Sequence, residues 1–251
     1  MAAKSTLTLE EDHYTLADLG IIVALPEELR TLTNQKIRQG ECLQLGRLWI
    51  AHSGAGWQNA AASAQLLISK GVKVLVSWGC AAGLIRGLKP GDLILASRIV
   101  IDLQSYETDP FWRNRLQQQL AVLSPLHTGH LYTSQELVSS SLLKQQISQQ
   151  NQSMAVDMES AAIAEVAQSS RIPCLAIRSI ADPFDQDLPQ AVSRSLNANG
   201  QVELPRLFRH LFLHPWELAG LIRLGLNFHA AQKTLKKVAR ILNLQQLQIV
   251  S

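Results

Sequence analysis

The stretch Gly20-Ile21-Ile22-Val23-Ala24-Leu25, closed by Pro26, decides how the rest of the chain is read. Six residues with no polar side chain and no alternation suit a strand covered on both faces, and Pro26 suits the first turn of a following helix. Similar apolar runs return at 72–78, 92–101 and 172–180. Between them lie helix-like stretches at 56–70, which is Ala-rich and closed by Gly71, and at 157–170. Val, Ile and Leu-rich strands alternating with helices of ten or more residues predict an α/β fold with a mainly parallel, covered sheet and flanking helices. Two segments resist this scheme. Residues 103–125 show no clear period, and 135–152 are so rich in Gln and Ser that they read as a solvated helix or a mobile excursion.

The composition agrees with a globular chain. Of 251 residues, 47% are hydrophobic and 17% charged, which excludes the low-hydrophobicity, high-charge signature of disorder. Three cysteines, Cys42, Cys80 and Cys174, are too few and too scattered for a disulfide framework or a four-thiolate zinc site, and they fit a reducing compartment. No apolar run approaches the ~20 residues that span a bilayer, and residues 1–9 lack a signal peptide's apolar stretch. A cytoplasmic location is expected, with association at the inner face of the membrane left open.

From position 203 onward the pattern is purely helical. Leu221, Leu224, Phe228, Ala231, Leu235, Val238 and Leu242 follow steps of three and four, which align them on one helix face. Residues 205–251 carry a formal charge of +6, and the rest of the chain −3. The expected organisation is one α/β domain over 1–202 and a helical C-terminal extension over 203–251 packed on it. Either the stripe lies against the core or a partner subunit, or the basic helix meets a membrane surface. Nucleic acid is not expected as a partner, because no aromatic residues interleave with the cations. His210 and His214, four apart, lack a third ligand in view and do not make a metal site.

Ligands of α/β sheets collect beyond the carboxyl ends of strands, so the turns there are where chemistry is sought. Four stand out: Leu25-Pro26-Glu27-Glu28, Ser53-Gly54-Ala55-Gly56, Gly79-Cys80-Ala81-Ala82-Gly83 and Ala181-Asp182-Pro183. A fifth segment, Val156-Asp157-Met158-Glu159, enters a helix of small residues. Each alone has a plain explanation. Acidic residues in a first helical turn favour the helix dipole, Gly/Ala clusters make tight turns, Asp157 can cap a helix, and Asp182 before Pro183 can start a turn. The glycines fit neither a dinucleotide fingerprint nor a phosphate loop. Their combination with three strand-end carboxylates is what points to a ligand.

In order and spacing, Gly20–Leu29, the Ser53–Gly56 turn, Gly79–Asp92, Val156–Glu159 and Arg178-Ser179-Ile180-Ala181-Asp182 resemble the nucleoside phosphorylase superfamily, with the methylthioadenosine/S-adenosylhomocysteine nucleosidases as the nearest named branch. The stretch from Asp182-Pro183 through Leu188-Pro189 to His214-Pro215-Trp216-Glu217-Leu218 is more similar to the hopanoid-associated phosphorylases. The resemblance implies the phosphorylase/hydrolase-like fold and cleavage of the N-glycosidic bond of a 5′-substituted adenosine, with adenosylhopane as the expected substrate. It implies a homo-oligomer and no metal or other cofactor. Inorganic phosphate is a co-substrate only if the bond is cleaved by phosphorolysis.

The same resemblance assigns roles. Asp182 is the acid that protonates the departing purine, Glu28 orients the attacking water, and Glu159 grips the ribose hydroxyls. Met158 packs on the sugar, Ala55, Cys80 and Ala81 line the nucleophile and ribose pocket, Asp157 belongs with the binding segment, and Arg178 steadies it. The chemistry makes independent sense. Breaking a C–N glycosidic bond builds positive charge on the sugar and negative charge on the base, so an acid is needed on one side and anionic groups on the other. Three departures stand against the pattern. Ala181 and Cys80 replace serines, and Glu136-Leu137-Val138 stands where an aromatic residue stacks on the adenine. Glu28 favours water over phosphate, while Arg30 and Arg47 are the cations that would favour phosphate. Two alternatives are a nucleosidase for methylthioadenosine or S-adenosylhomocysteine and a catalytically idle membrane-surface binding module.

Overall fold

The computed structural model describes residues 19–123, 125–195 and 203–242. The first dozen residues, whose polar composition predicts fraying, fall outside that range. The strands are β1 (Leu19–Val23), β2 (Glu41–Leu45), β3 (Leu48–His52), β4 (Val74–Gly83), β5 (Leu93–Ile101), β6 (Gln104–Glu107), β7 (Leu126–Thr133), β8 (Ala155–Asp157) and β9 (Cys174–Asp182). The helices are α1 (Pro26–Leu29), α2 (Trp57–Ser69), α3 (Pro110–Leu120), α4 (Ser141–Asn151), α5 (Ser160–Ser169), α6 (Gln190–Ser193), α7 (Leu204–Leu213) and α8 (Leu218–Ile241), with a 3-10 turn at Pro215–Glu217.

All nine strands form one twisted sheet in the order β2-β3-β1-β4-β8-β7-β5-β6, with β9 joined to both β4 and β5. Pairing is parallel for β1 with β3 and β4, for β4 with β9, for β5 with β7 and for β7 with β8. It is antiparallel for β2–β3, β4–β8, β5–β6 and β5–β9. The sheet is therefore mixed, with parallel pairs through the four strands marked by the apolar runs. The antiparallel β2–β3, β4–β8 and β5–β6 pairs each involve a short strand that the apolar-run criterion passes over, whereas β5–β9 joins two of the apolar runs themselves, so the sheet is less uniformly parallel than those runs predict.

Both faces are covered, as the continuous apolar runs require. Ile22 packs on one face with Ala60, Ala64 and Leu67 of α2 and Ala161, Ala164 and Ala167 of α5. Ile21 and Val23 pack on the other with Leu116 and Leu120 of α3 and Leu235, Val238 and Ala239 of α8. The C-terminal helix is thus part of the core layer. Its Thr234 hydroxyl also donates to the Gly91 carbonyl at 2.8 Å. The apolar stripe read in the sequence is this inward face: Ala231, Leu235 and Val238 are fully buried in the core, and Leu221, Leu224, Phe228 and Leu242 are half-buried.

The outward face of α8 is a different set. Stepping by threes and fours from Leu218 gives Ile222, Leu226, His229, Lys233, Lys236 or Lys237, and Arg240, all exposed. That face is apolar in its first half and basic in its second. Phe212, Leu213 and Trp216, at 87%, 58% and 71% exposure, extend the apolar half onto the end of α7 and the 3-10 turn. No described helix is long and apolar enough to cross a membrane.

Candidate active site

Register places the strand-end residues side by side. Ala82 at the end of β4 pairs with Val156 on one side and with Asp182 on the other, after a bulge between Ala81 and Ala82. Asp157 and Asp182 therefore lie about two strand spacings apart, on the order of 10 Å. The turns after β1 and β3 complete the same edge of the sheet.

Glu28 is held there by backbone amides. Its Oε2 accepts from Ala24 N at 3.2 Å and Leu25 N at 3.0 Å, and its Oε1 accepts from Cys80 N at 2.7 Å. The carboxylate lies directly over Gly79, where an added Cβ would come within 2.7 Å of Glu28 Cδ. Glycine at 79 is thus a condition for Glu28 to reach the site. Burial raises the Glu28 pKa, opposed by the charge of Arg178 and by the three amide donors. A buried carboxylate with raised pKa is a better base near neutral pH than an exposed one.

Arg178 sits at the centre of a fully buried network. Its Nη2 is 2.7 Å and its Nε 2.9 Å from Asp157 Oδ2, and Nη2 also donates to Ser77 Oγ at 2.6 Å and Ser160 Oγ at 3.0 Å. Nη1 donates to the Ile177 carbonyl at 3.1 Å. The other oxygen of Asp157 accepts from Thr133 Oγ1 at 2.8 Å and from Ser160 N at 3.3 Å. Asp157 is occupied on both oxygens and acts on the site through Arg178 and through its neighbour Glu159. Glu159 accepts from Gly56 N at 2.9 Å and from Met158 N at 3.2 Å, and Gly56 presents that N–H from a left-handed backbone with φ of 95°. Burial, with Asp157 adding repulsion, pushes the Glu159 pKa to about 7. Cys80 lies beside Glu28. Burial, then the Glu28 charge, pushes its thiol well above the ordinary range, so it is a neutral lining group.

Asp182 is buried at the end of β9, and its Oδ2 is 2.7 Å from the ammonium of Lys144. Burial raises its pKa, Lys144 opposes that, and Asp187 adds to it. Lys144 comes from α4, in the Gln/Ser-rich segment read as solvated or mobile. The helix is ordered, its N-terminus capped by Ser140, and Lys144 is fully buried. Nothing in the local sequence signals this. Ser77 carries a faint signal, a lone hydroxyl inside an otherwise apolar strand, whereas Thr133 and Ser160 carry none.

Ala55 and Met158 are half-buried at the edge of the site, and Ala81 is buried in β4. In the segment at 136–138, Val138 is buried with Leu84 and Val156, and Leu137 is exposed at 36%. Arg30 points to solvent and pairs with Glu27 at 3.6 Å. Among the described residues, no group of His, Cys, Asp or Glu is arranged to hold a metal ion.

The model of the phosphorylase superfamily matches residues 18–209, which takes in every strand and all three carboxylates. The chain belongs to the phosphorylase superfamily. It is a glycosyl-bond-cleaving enzyme of that superfamily. Among curated relatives, the 5′-methylthioadenosine/S-adenosylhomocysteine nucleosidase of Mycobacterium bovis is 26% identical over 217 residues, covering 65% of this chain and 85% of its own. The aminodeoxyfutalosine nucleosidase of Helicobacter pylori is 26% identical over 154 residues, covering 54% and 67%. The 5′-methylthioadenosine/S-adenosylhomocysteine nucleosidase of Neisseria meningitidis, solved with methylthio-immucillin-A, superposes with a TM-score of 0.66 at 19% identity, over 89% of this chain and 97% of that one. That likeness confirms the superfamily fold.

Proposed function

We propose that this enzyme releases adenine from a 5′-substituted adenosine by attack of water at C1′. The observation that carries the reading is the presence at one sheet edge of three carboxylates in different environments, Glu28 and Asp182 buried and Glu159 half-buried. Asp182, raised by burial, gives its proton to the purine as the C1′–N9 bond breaks and its electron pair moves onto the base. Glu28 takes a proton from water as the water oxygen bonds to C1′. Glu159, once ionised, holds the ribose hydroxyls more strongly as the ring turns cationic. General acid catalysis of this kind contributes about 10²–10⁴-fold.

Water is favoured over phosphate by the charges around Glu28. The cation acting on Glu28 is Arg178, and it is committed to Asp157, Ser77 and Ser160. A phosphate dianion there would face a carboxylate, and the Arg178 fork beside it is already engaged.

The proposed natural substrate is adenosylhopane, met at the cytoplasmic membrane surface. Support comes from the outward face of α7 and α8, where Phe212, Trp216, Leu218, Ile222 and Leu226 lie exposed beside a basic half carrying Lys233, Lys236, Lys237 and Arg240. An apolar patch with aromatic residues and adjacent cations matches an anionic lipid surface. The patch is tied to the loop that follows Asp182: Asn227 Nδ2 donates to Gln186 Oε1 at 3.1 Å, and Ala191 N donates to Glu217 Oε2 at 2.7 Å.

The test is incubation of the purified protein with adenosylhopane, methylthioadenosine and S-adenosylhomocysteine, with and without phosphate, following adenine and the sugar product. The expected result is adenine and a free sugar, indifferent to phosphate, with adenosylhopane in anionic vesicles the best substrate. A sugar 1-phosphate would overturn the choice of water. Preference for methylthioadenosine, with no vesicle binding, would overturn the lipid-linked substrate.

A further inference from the structure

Lys144 is a buried cation beside Asp182 that the mechanism above does not use. Its ammonium has three hydrogens and three close acceptors: Asp182 Oδ2, the Pro183 carbonyl and the Gln186 carbonyl, each at 2.7 Å. The side chain is fully buried, although α4 is otherwise a polar helix with Gln145, Gln149 and Gln150 exposed. Burying an ammonium costs several kcal/mol unless an anion accompanies it, and two carbonyls alone do not supply one. The ionised Asp182 left once its proton has passed to the purine is thus the anion that Lys144 accompanies.

The surrounding contacts fix this pair in place. Ser141 N donates to Asp187 Oδ1 at 2.6 Å and Leu188 N donates to the Ser139 carbonyl at 2.8 Å, which fastens the start of α4 to the loop at 183–188. The residue before the acid, Ala181, has no hydroxyl with which to hold it. The charged groups acting on Asp182 are Lys144 from α4 and Asp187 from the loop.

We propose that Lys144 is a positioning residue for the general acid: it aims the Asp182 carboxyl and joins it to the loop at 183–188 as one unit. The proposal rests on Asp182 being the acid. Two effects follow from losing the cation. The carboxyl is freed to rotate, which lowers kcat more than it raises KM, since misplacing a reacting group by about 1 Å can cost about 10²-fold. It also becomes a weaker acid, because a neighbouring cation depresses a carboxyl by about 1–3 pH units. The alkaline limb of the pH profile, where Asp182 loses its proton, therefore moves upward.

The test compares wild type, Lys144→Met and Lys144→Gln in two readouts. In the first, aspartate is labelled with ¹³C at the carboxyl, the Asp182 resonance is assigned by its loss in Asp182→Asn, and its titration midpoint is read by NMR. This needs no turnover. In the second, kcat and KM on methylthioadenosine are followed against pH. The expected result is a midpoint about 1–3 units higher in both Lys144 variants, with kcat down about 10–100-fold and KM within about threefold. Lys144→Gln keeps two donors for Pro183 and Gln186 without the charge, so it tests the pair if Lys144→Met fails to fold. An unmoved midpoint in a folded variant overturns the proposal. So does failure of both variants to fold while Asp182→Asn folds normally, which would make Lys144 a clamp for the loop alone. If the midpoint moves but wild type turns over no nucleoside, the positioning role stands and the assignment of the reaction is what fails.

Discussion

The two sides of the site are built from different materials. Around Glu28 and Arg178 the partners are backbone amides and short side chains on adjacent strands: Cys80 N, Leu25 N, Ser77, Ser160, Asp157. Around Asp182 the partner is one long side chain reaching in from a polar helix, and the loop beyond it is fastened in turn to α8. The first side is preset by strand register and has no slack. The second depends on a single ion pair and on the position of the C-terminal helices, so it is where the acid's strength and the substrate's reach can be altered without disturbing the sheet.

The largest effect should come from the acid itself. Asp182→Asn is expected to lower kcat by about 10²–10⁴-fold with little change in substrate binding, seen by pairing steady-state rates with a binding measurement on a non-cleaved analogue. Equal losses in rate and affinity would mean that Asp182 grips the base rather than protonates it. Arg178→Met attacks the other side. It strands Asp157 as a buried unpaired charge, and chemical denaturation should report a loss of about 3–5 kcal/mol. A loss below about 1 kcal/mol would show that the network has slack after all.

These two sides were unequally legible in the sequence, for a physical reason. β1, β4, β5 and β9 are continuous apolar runs because both their faces are covered, and their ends carry Glu28, Cys80 and Asp182. The β2–β3 hairpin and β7 were passed over. Glu41-Cys42-Leu43-Gln44-Leu45 is a half-exposed edge, and Leu126–Thr133 carries two histidines and a glycine. Lys144 was hidden more deeply, since a lysine among glutamines and serines reads as solvated, and only tertiary contact with a residue 38 positions away makes it buried. The inward stripe of α8 was readable from its spacing; its outward face, apolar then basic, became visible only once the inward face was known.

Smaller effects sharpen the contrast. Glu28→Gln keeps the side chain's size and removes the base, so turnover should fall by about 10²-fold whether or not phosphate is present. Rescue by phosphate would reassign the nucleophile. Glu159 offers a pH readout on the same side. Its pKa is raised from 4.5 to about 7 on folding, so the folded state holds the extra proton between those values. Stability from this group is complete below about pH 4.5 and lost as pH rises toward 7, and calorimetry should show Tm falling over that window in wild type but less so in Glu159→Gln. Activity should run the other way, rising as Glu159 ionises. The smallest effect belongs to the outer face of α8. Lys237→Gln should weaken association with anionic vesicles by about 1 kcal/mol while leaving turnover of a soluble nucleoside unchanged. Flotation that is insensitive to salt and to this substitution would remove the basic half of that face from any membrane role.

The placing of α8 has a consequence for how the protein is made. Leu235, Val238 and Ala239 close the apolar face formed by Ile21, Val23, Val76, Trp78 and Ile177, yet they are synthesised 53 to 57 residues after Asp182, the last of the three carboxylates. At ~5–20 residues per second, that face waits roughly 3 to 11 s for its cover. During that interval the nascent chain offers an open, β-rich apolar surface, the kind of surface that chaperones bind and that aggregates when they do not. A chain shortened ahead of α8 would keep every residue assigned to the chemistry and would still remain in that exposed condition indefinitely.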